Sequence, residues 1–485
     1  MPSPDDNRPA LVLFRNDLRL EDNPALNAAR LSGCPLVCVY IYETEGDAAF
    51  RRPGSASRWW LHHSLESLSS SIRSKGGSLI LRSGRLVSAV ESLIAETGAC
   101  EVHASRRYDP AGLEADTELA DALRDGDIPF YRHEGFLLHE PSSVRTSSNR
   151  FYRVFSPFAR KVIPLVQDAR PETCDLPFHF ASPPESDKLG DYAFLPSEPD
   201  WASGFSPQWQ PGEEGAQTTL QHFLSNGLSD YTVGRDHPGK YGTSRLSAHL
   251  AFGEISPRQV WHGVETAAPR NPGRGVTTFQ RELIFREFAW HLLTNLPQMA
   301  WSNIDSRFDR FPWQEDANDP SLIDWQKGLT GYPIVDAGMR ELWQTGWMHN
   351  RVRMIVASFL TKHLMVHWKR GEEWFYDTLV DADPANNAFN WQWTAGSGAD
   401  AAPFFRIFAP VTQGRRFDAD GRYVRAFVPE IAALPDKFLH APWEAPDDVL
   451  SAANVKLGVD YPRPLVDHAA ARQRALDAFK GLKDD

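Results

Sequence analysis

Four stretches of this chain place chemically capable residues at spacings that local structure would bring together. The segment DADPANNAFNWQW, residues 381–393, crowds Asp381, Asp383, Asn387, Trp391 and Trp393 into one short run. GKYGTSRLS, residues 239–247, leads a glycine-rich basic loop through Thr243, Ser244, Arg245, Leu246 and Ser247 into an apolar run of helical character. A helix start with open N–H groups, hydroxyls and an Arg is an anion site, and equally an ordinary N-cap. RELIFREF, residues 281–288, sets Glu282, Phe285 and Arg286 on adjoining positions of one helical surface. In TGWMHNRVRM, residues 345–354, Gly346 reads as a helix stop, and Asn350, Arg353 and Met354 share the face of the helix that follows. As plain structure the last two are amphipathic or core helices with incidental polar residues.

Two kinds of scaffold must carry these groups. Apolar, β-branched runs at 10–15, 36–42, 78–84, 101–108 and 128–135 alternate with helix-like segments such as SASRWWLHHSLESLSSSIRSKGG. That βαβ rhythm predicts a parallel sheet covered by helices. No GxGxxG follows the first strand, so a dinucleotide site there is unsupported. Between about 140 and 210 the chain is rich in Pro, Ser, Gly and acids, which predicts a long surface connector. Beyond it, apolar residues recur at three- and four-residue spacing to the end. The expected fold class is therefore α/β plus all-α. It comprises a Rossmann-like parallel-sheet domain over 8–137, a linker over 138–210 and a helical domain over 211–478.

Composition narrows the function classes. With 485 residues, 42% of them hydrophobic, two or three sizeable cores are expected. No apolar run is long enough to span a bilayer, and the N-terminus lacks a secretory leader, so the expected location is the cytoplasm. Four scattered Cys without a CxxC pair argue against a disulfide framework, a zinc site or an iron–sulfur cluster, and no metal is expected. A net charge of −12 disfavours indiscriminate coating of nucleic acid but leaves room for a local basic face. The 16 Trp, mostly in the second half, are either core filler or functional, position by position.

Read together, FRNDLRLEDNPAL, GTSRLSAHLAFGEIS, ELIFREF, TGYPIVDAGMRELWQTGWMHNRVRMI and NWQWTAGSGADAAPFFRIFAPVTQG resemble the DNA photolyase and cryptochrome family, in its order and spacing, over roughly residues 8 to 475. The likeness is greatest to the microbial class I and class III enzymes for cyclobutane pyrimidine dimers. The resemblance implies FAD held in a folded form in the helical domain. Thr243, Ser244, Arg245, Leu246 and Ser247 would hold its diphosphate, with Tyr231 nearby and Phe279, Arg286 and Asn350 also in the cofactor set. Asp381, Asp383 and Asn387 would line the ring and ribityl chain, with Arg353 paired to Asp381. Asn387 would face flavin N5, where a neutral amide suits a reduced flavin better than a carboxylate. Trp391, Trp368 and Trp313 would carry electrons from the surface to the flavin.

The same resemblance implies UV-damaged DNA as partner, with no membrane, no protein partner and a monomeric protein. A flipped pyrimidine dimer would meet Glu282 as hydrogen-bond partner, Asn350 and Met354 as lining, and Trp393 as stacking wall. Phe285 stands where relatives carry a second stacking Trp. Arg235, Arg286, Arg351 and Lys362 would contact phosphates on the rim. The implied activity is that of a deoxyribodipyrimidine photo-lyase, a carbon–carbon lyase in which photoexcited reduced FAD donates an electron that later returns to it. The alternatives are a cryptochrome-type photoreceptor, favoured by Phe285, and a 6-4 photoproduct enzyme, disfavoured by Asn350 and Met354. The implied antenna is 5,10-methenyltetrahydrofolate or a deazaflavin; the neighbourhood that holds folate in some relatives here carries Asp109 and Pro110.

Overall fold

The computed structural model describes residues 8–482 except 47–50, 168, 269–272 and 401–404; the AAPF part of the last motif lies outside the described residues. The chain forms two compact units. The first comprises Met1–Asp200, Trp209–Ser229 and Ser244–Pro297. Its sheet contains β1 (Ala10–Phe14), β2 (Leu36–Glu43), β3 (Leu79–Gly84), β4 (Glu101–Ser105) and β5 (Phe130–His133), joined in turn by α1 (Pro24–Ser32), α2 (Ser55–Ser74), α3 (Leu86–Thr97) and α4 (Pro110–Asp125). All pairings are parallel and the order is β3-β2-β1-β4-β5, as the βαβ rhythm predicts. Alternation along β1 explains the two layers. Ala10, Val12 and Phe14 pack with Leu26 of α1 and Leu61, Leu65 and Leu68 of α2. Leu11 and Leu13 face Val90 and Leu93 of α3 and Leu119 and Leu123 of α4.

The chain steps from β3 back across β1 to β4, so the topological switch lies between β1 and β4. In many open sheets a ligand crevice opens there, beyond the carboxyl ends of the strands. Here charged side chains fill that edge. Arg15, just after β1, and Arg107, just after β4, both engage Asp116 of α4, at 2.7 and 3.3 Å. Arg107 also pairs with Glu43 at the end of β2, and Asp17 accepts from the Arg15 amide and the Ser105 hydroxyl. This turn of the chain ends β4 at Ser105, three residues earlier than its apolar run implies.

The Pro- and Ser-rich stretch is not merely a connector. It contains a helix, Phe155–Val166, which buries Phe155, Phe158, Val162 and Val166. Further along, Leu36 and Phe180 form a bridge beside the sheet.

The second unit, Trp201–Gln208, Asp230–Thr243 and Gln298–Asp485, is helical. Its helices start where the sequence signals them. Asp319 and Asp383 precede Pro at the first turns of Pro320–Lys327 and Pro384–Ala395 and accept from backbone N–H groups there. Gly346 ends Pro333–Thr345 in the left-handed region at φ 67, and a Cβ there would strike Phe205 and Val380. Next comes Asn350–Ser358, continued by one π-helical turn, Phe359–His363, and then Trp368–Thr378. Among the described residues no helix is long and apolar enough to cross a membrane.

Candidate functional site

The helix Pro384–Ala395 organises the polar centre of the second unit. Asp383 caps it through the Asn386 amide at 2.8 Å, which sets Asn387 and Trp391 one turn apart on one side. Asn387 is 9% exposed. Its Nδ2 donates to the main-chain carbonyl of Glu372 at 3.0 Å and to the Glu372 carboxylate at 2.7 Å. Both amide hydrogens are thereby used, so Oδ1 is left as an acceptor. Nearby in sequence, Asp381 is buried and takes both hydrogen bonds of Arg353 Nη2, at 3.1 and 2.8 Å. Arg353 Nε is tied to the Met348 carbonyl at 2.7 Å. A buried carboxylate with a two-point guanidinium partner is a compensated charge.

Two of the three Trp are buried and the third is half-buried. Trp391 is 3% exposed and Trp368 0%, while Trp313 is half-buried against the same cluster. Trp391 lies on Gly371, where a Cβ would overlap its ring, and its other neighbours are Phe375, at 5.0 Å, and Trp325, at 6.2 Å between centroids. Trp368 Nε1 donates to Asn303 at 2.8 Å, and Trp313 Nε1 to the Phe308 carbonyl at 2.9 Å. His367 touches both, with centroids 5.3 Å from Trp313 and 5.6 Å from Trp368. Burial lowers its pKa to about 4, so it is neutral at physiological pH.

Other sequence-predicted residues of this unit divide by exposure. Asn350 is exposed in the first turn of its helix, and Arg351, Arg353 and Met354 are half-buried there. Arg351 pairs with Asp236 at 2.6 Å and lies over Phe417. Arg235 lies over the buried Tyr231 ring, and Thr243 is half-buried. Trp393 is half-buried, its Nε1 donating to the Asp400 carbonyl at 3.1 Å. Lys362 corrects an expectation. Read as a rim cation, it is 1% exposed and donates to the Ala395 carbonyl at 2.7 Å; the π-helical turn directs it inward.

The remaining predicted residues belong to the first unit. Ser244, Arg245 and Ser247 precede or begin a short helix, Ser247–Ala251, which has no side-chain cap; Arg245 sits at φ 55 with Leu246 buried behind it. The ordinary N-cap is thus not what these hydroxyls form. On Arg274–Asn295, Phe279 is buried against Phe223 and Glu282 is half-buried. Phe285 stacks on Phe155 with centroids 3.5 Å apart. Arg286 is buried, its Nη1 bonded to the Phe136 carbonyl and Glu287, while Nη2 has no hydrogen-bond partner among the described residues.

Sequence reasoning passed over Glu372, Asn303 and Gln392. Gln392 donates to the carbonyls of Met299 and Ser302 and accepts from the Ile304 amide. Glu372 and Gln392 lie inside HWKRGEEWF and NWQW, and Asn303 in WSNID, but nothing in an exposed-looking acid pair marks Glu372 as an orienting group.

Comparison with known proteins gives the family. The model for the FAD binding domain of DNA photolyase matches residues 279–481, and that for DNA photolyase matches 10–175. The chain is 50% identical over 478 residues to a deoxyribodipyrimidine photo-lyase of Agrobacterium fabrum, covering 98% of both chains. A bacterial class III photolyase from Agrobacterium tumefaciens superposes with a TM-score of 0.93 at 49% identity over 100% of each chain. A Synechocystis cryptochrome gives a TM-score of 0.86 at 29% identity, covering 97% of this chain and 99% of its own. This chain belongs to the DNA photolyase family.

The donor set fits the flavin that such a domain binds. Within the second unit, Asn387 offers a fixed acceptor and no negative charge, and Arg353 and Asp381 are mutually neutralised.

Proposed function

We propose that this chain is a light-driven lyase that splits cyclobutane pyrimidine dimers in UV-damaged DNA. The observation that carries the reading is the fixed amide of Asn387, one helical turn from Trp391. When bound, reduced FAD supplies the electron released by a photon and takes it back after the dimer opens. In the second unit, Asn387 Oδ1 would accept from the flavin N5–H, while Arg353, Asp381 and Asp383 would orient the ring and its chain. A carboxylate at 387 would repel the anionic hydroquinone, whereas the amide holds the N5 proton in place. Trp391, Trp368 and Trp313 would refill the flavin with electrons. In the first unit, Ser244, Arg245, Leu246 and Ser247 would serve the diphosphate, as would Thr243 in the second. Tyr231, Phe279, Arg286 and Asn350 complete the proposed cofactor set.

On the DNA side, Trp393 would stack on the flipped dimer, a contact worth about 1–3 kcal/mol per base. Asn350 and Met354 would line the pocket, and Glu282 would hydrogen-bond the pyrimidine edge. Arg235, Arg351 and Arg286 are the proposed phosphate or lesion contacts, with binding that weakens as salt is added. We propose a monomer acting without a protein partner, and a cytoplasmic location, with which four free cysteines are consistent. For the antenna we propose 5,10-methenyltetrahydrofolate over a deazaflavin.

The test is direct. Photoreduced protein is mixed with an oligonucleotide carrying one cyclobutane thymine dimer, illuminated with blue light, and thymine absorbance is followed against a dark control. Light-dependent recovery is expected. No recovery with flavin bound and reducible overturns the reading and favours a blue-light photoreceptor, for which Phe285 speaks, since one face of its ring is already covered by Phe155.

A further inference from the structure

Lys362 is the least accounted-for charge in the second unit. It is 1% exposed, and its Nζ lies 2.7 Å from the Ala395 carbonyl and 3.1 Å from the centroid of Phe405. Among the described residues no carboxylate pairs with it, and burial alone drives its pKa well below the usual lysine value. An amine is costly to bury without an acid, so the position needs a reason.

Its surroundings supply one. Ala395 is the last residue of the helix that carries Trp391 and Trp393, so its carbonyl belongs to the electronegative end of that helix. Phe405 lies on the returning strand of chain and stacks on Phe479 at 4.4 Å. Lys362 itself sits in the π-helical turn Phe359–His363, a conformation concentrated at functional sites. Lys362, Trp393, Phe405 and Phe408 line a common cavity of about 30 Å³. The amine therefore clamps three pieces behind Trp393: the π-turn, the helix end and the returning segment.

We infer that Lys362 is a positioning residue for Trp393, holding the stacking wall in the orientation that receives a flipped dimer. The inference rests on the repair reading and deepens it. Trp391 and Trp393 share one helix, but of the two only Trp393 lines the cavity at Lys362, so flavin chemistry serves as an internal control.

The test compares Lys362→Met, Lys362→Arg and Trp393→Ala, all flavin-loaded, for dimer-oligonucleotide Kd, undamaged-oligonucleotide Kd, repair kinetics and flavin photoreduction. For Lys362→Met, dimer Kd and KM rise about tenfold, as expected for a stacking contact partly lost. Undamaged-DNA affinity and photoreduction stay within about twofold, and Lys362→Arg recovers part of the dimer affinity. Where Lys362→Met does not fold, Phe405→Leu, which removes the ring and keeps the amine, gives a smaller shift in the same direction. The inference is overturned if Trp393→Ala weakens dimer binding and neither clamp variant does. If Trp393→Ala is itself silent, the stacking reading falls and the inference falls with it.

Discussion

Glu372 orients Asn387. Two hydrogen bonds from one amide nitrogen, to the Glu372 carbonyl and to its carboxylate, exclude the flipped rotamer. The flavin-facing chemistry of residue 387 is therefore decided fifteen residues upstream, by a side chain on Trp368–Thr378.

The first prediction tests that relationship. Glu372→Ala keeps the backbone acceptor but removes the carboxylate, so the amide can flip and present N–H where it had presented oxygen. Reduced flavin in the variant should reoxidise in air about tenfold faster, the equivalent of roughly one hydrogen bond. Glu372→Gln, which can still accept from Nδ2, should fall between. Equal reoxidation in all three proteins removes the orienting role.

Gly371 and Trp391 are locked by shape. A Cβ at 371 would overlap the far edge of the indole and Leu360. Gly371→Ala should therefore displace Trp391 and cost about 1–3 kcal/mol of stability, read from urea midpoints. Photoreduction should slow in the same variant. A fully stable protein would mean that the indole moves freely.

Trp368 is wholly buried and hydrogen-bonded to Asn303. Trp368→Phe fills most of the space but removes the readily oxidised indole. Flavin photoreduction should fall by at least about tenfold, about 1.4 kcal/mol of barrier. Repair by chemically reduced enzyme should be unchanged, because the electron for repair does not pass through this chain. Loss of both would place Trp368 in the repair step itself.

How much of this was legible follows the range of each interaction. The five strands announced themselves because short apolar, β-branched runs bounded by helix-like segments need only local sequence. The helix Phe155–Val166 did not, since Ser156, Pro157 and Pro164 in its sequence imitate a connector. Family motifs pointed to Asn387 and Arg353. Lys362 was misread because a π-helical turn shifts every later side chain by a fraction of a turn, and no composition rule shows it. Glu372 and Gln392 act on partners brought near by folding, beyond what one segment's pattern contains.

Stability should fall on mild acidification. Burial lowers the pKa of His291 and His367 to about 4 and of His363 to about 3, against 6.5 for the free group. Each is neutral when folded, whereas the unfolded chain takes up protons first as pH drops below 6.5. The unfolded state then binds more protons, so stability rises with pH through that window. Asp418 opposes this, because burial raises it to about 6 and favours its protonated folded form. Burial also raises Glu134, Glu213 and Asp336, but it lowers His62, His103, His133, His440 and His468 as well; the imidazoles outnumber the carboxyls, and the urea midpoint should be lower at pH 5 than at pH 7. A flat or inverted profile would show these imidazoles to be protonated in the fold.

Glu282 separates repair from light sensing. It is half-buried on Arg274–Asn295, whose neighbouring side chains Phe285 and Arg286 are already engaged, the first against Phe155 and the second with Phe136 and Glu287. Its proposed partner in the complex is the dimer. Glu282→Ala should therefore leave flavin content and photoreduction intact while lowering the quantum yield of dimer splitting severalfold, since one hydrogen bond to the reacting ring is worth about 0.5–1.5 kcal/mol. The yield is measured at saturating DNA, so that weaker binding does not enter. An unchanged yield with an intact flavin would remove Glu282 from the reaction and leave stacking by Trp393 as the main contribution of this chain to the lesion.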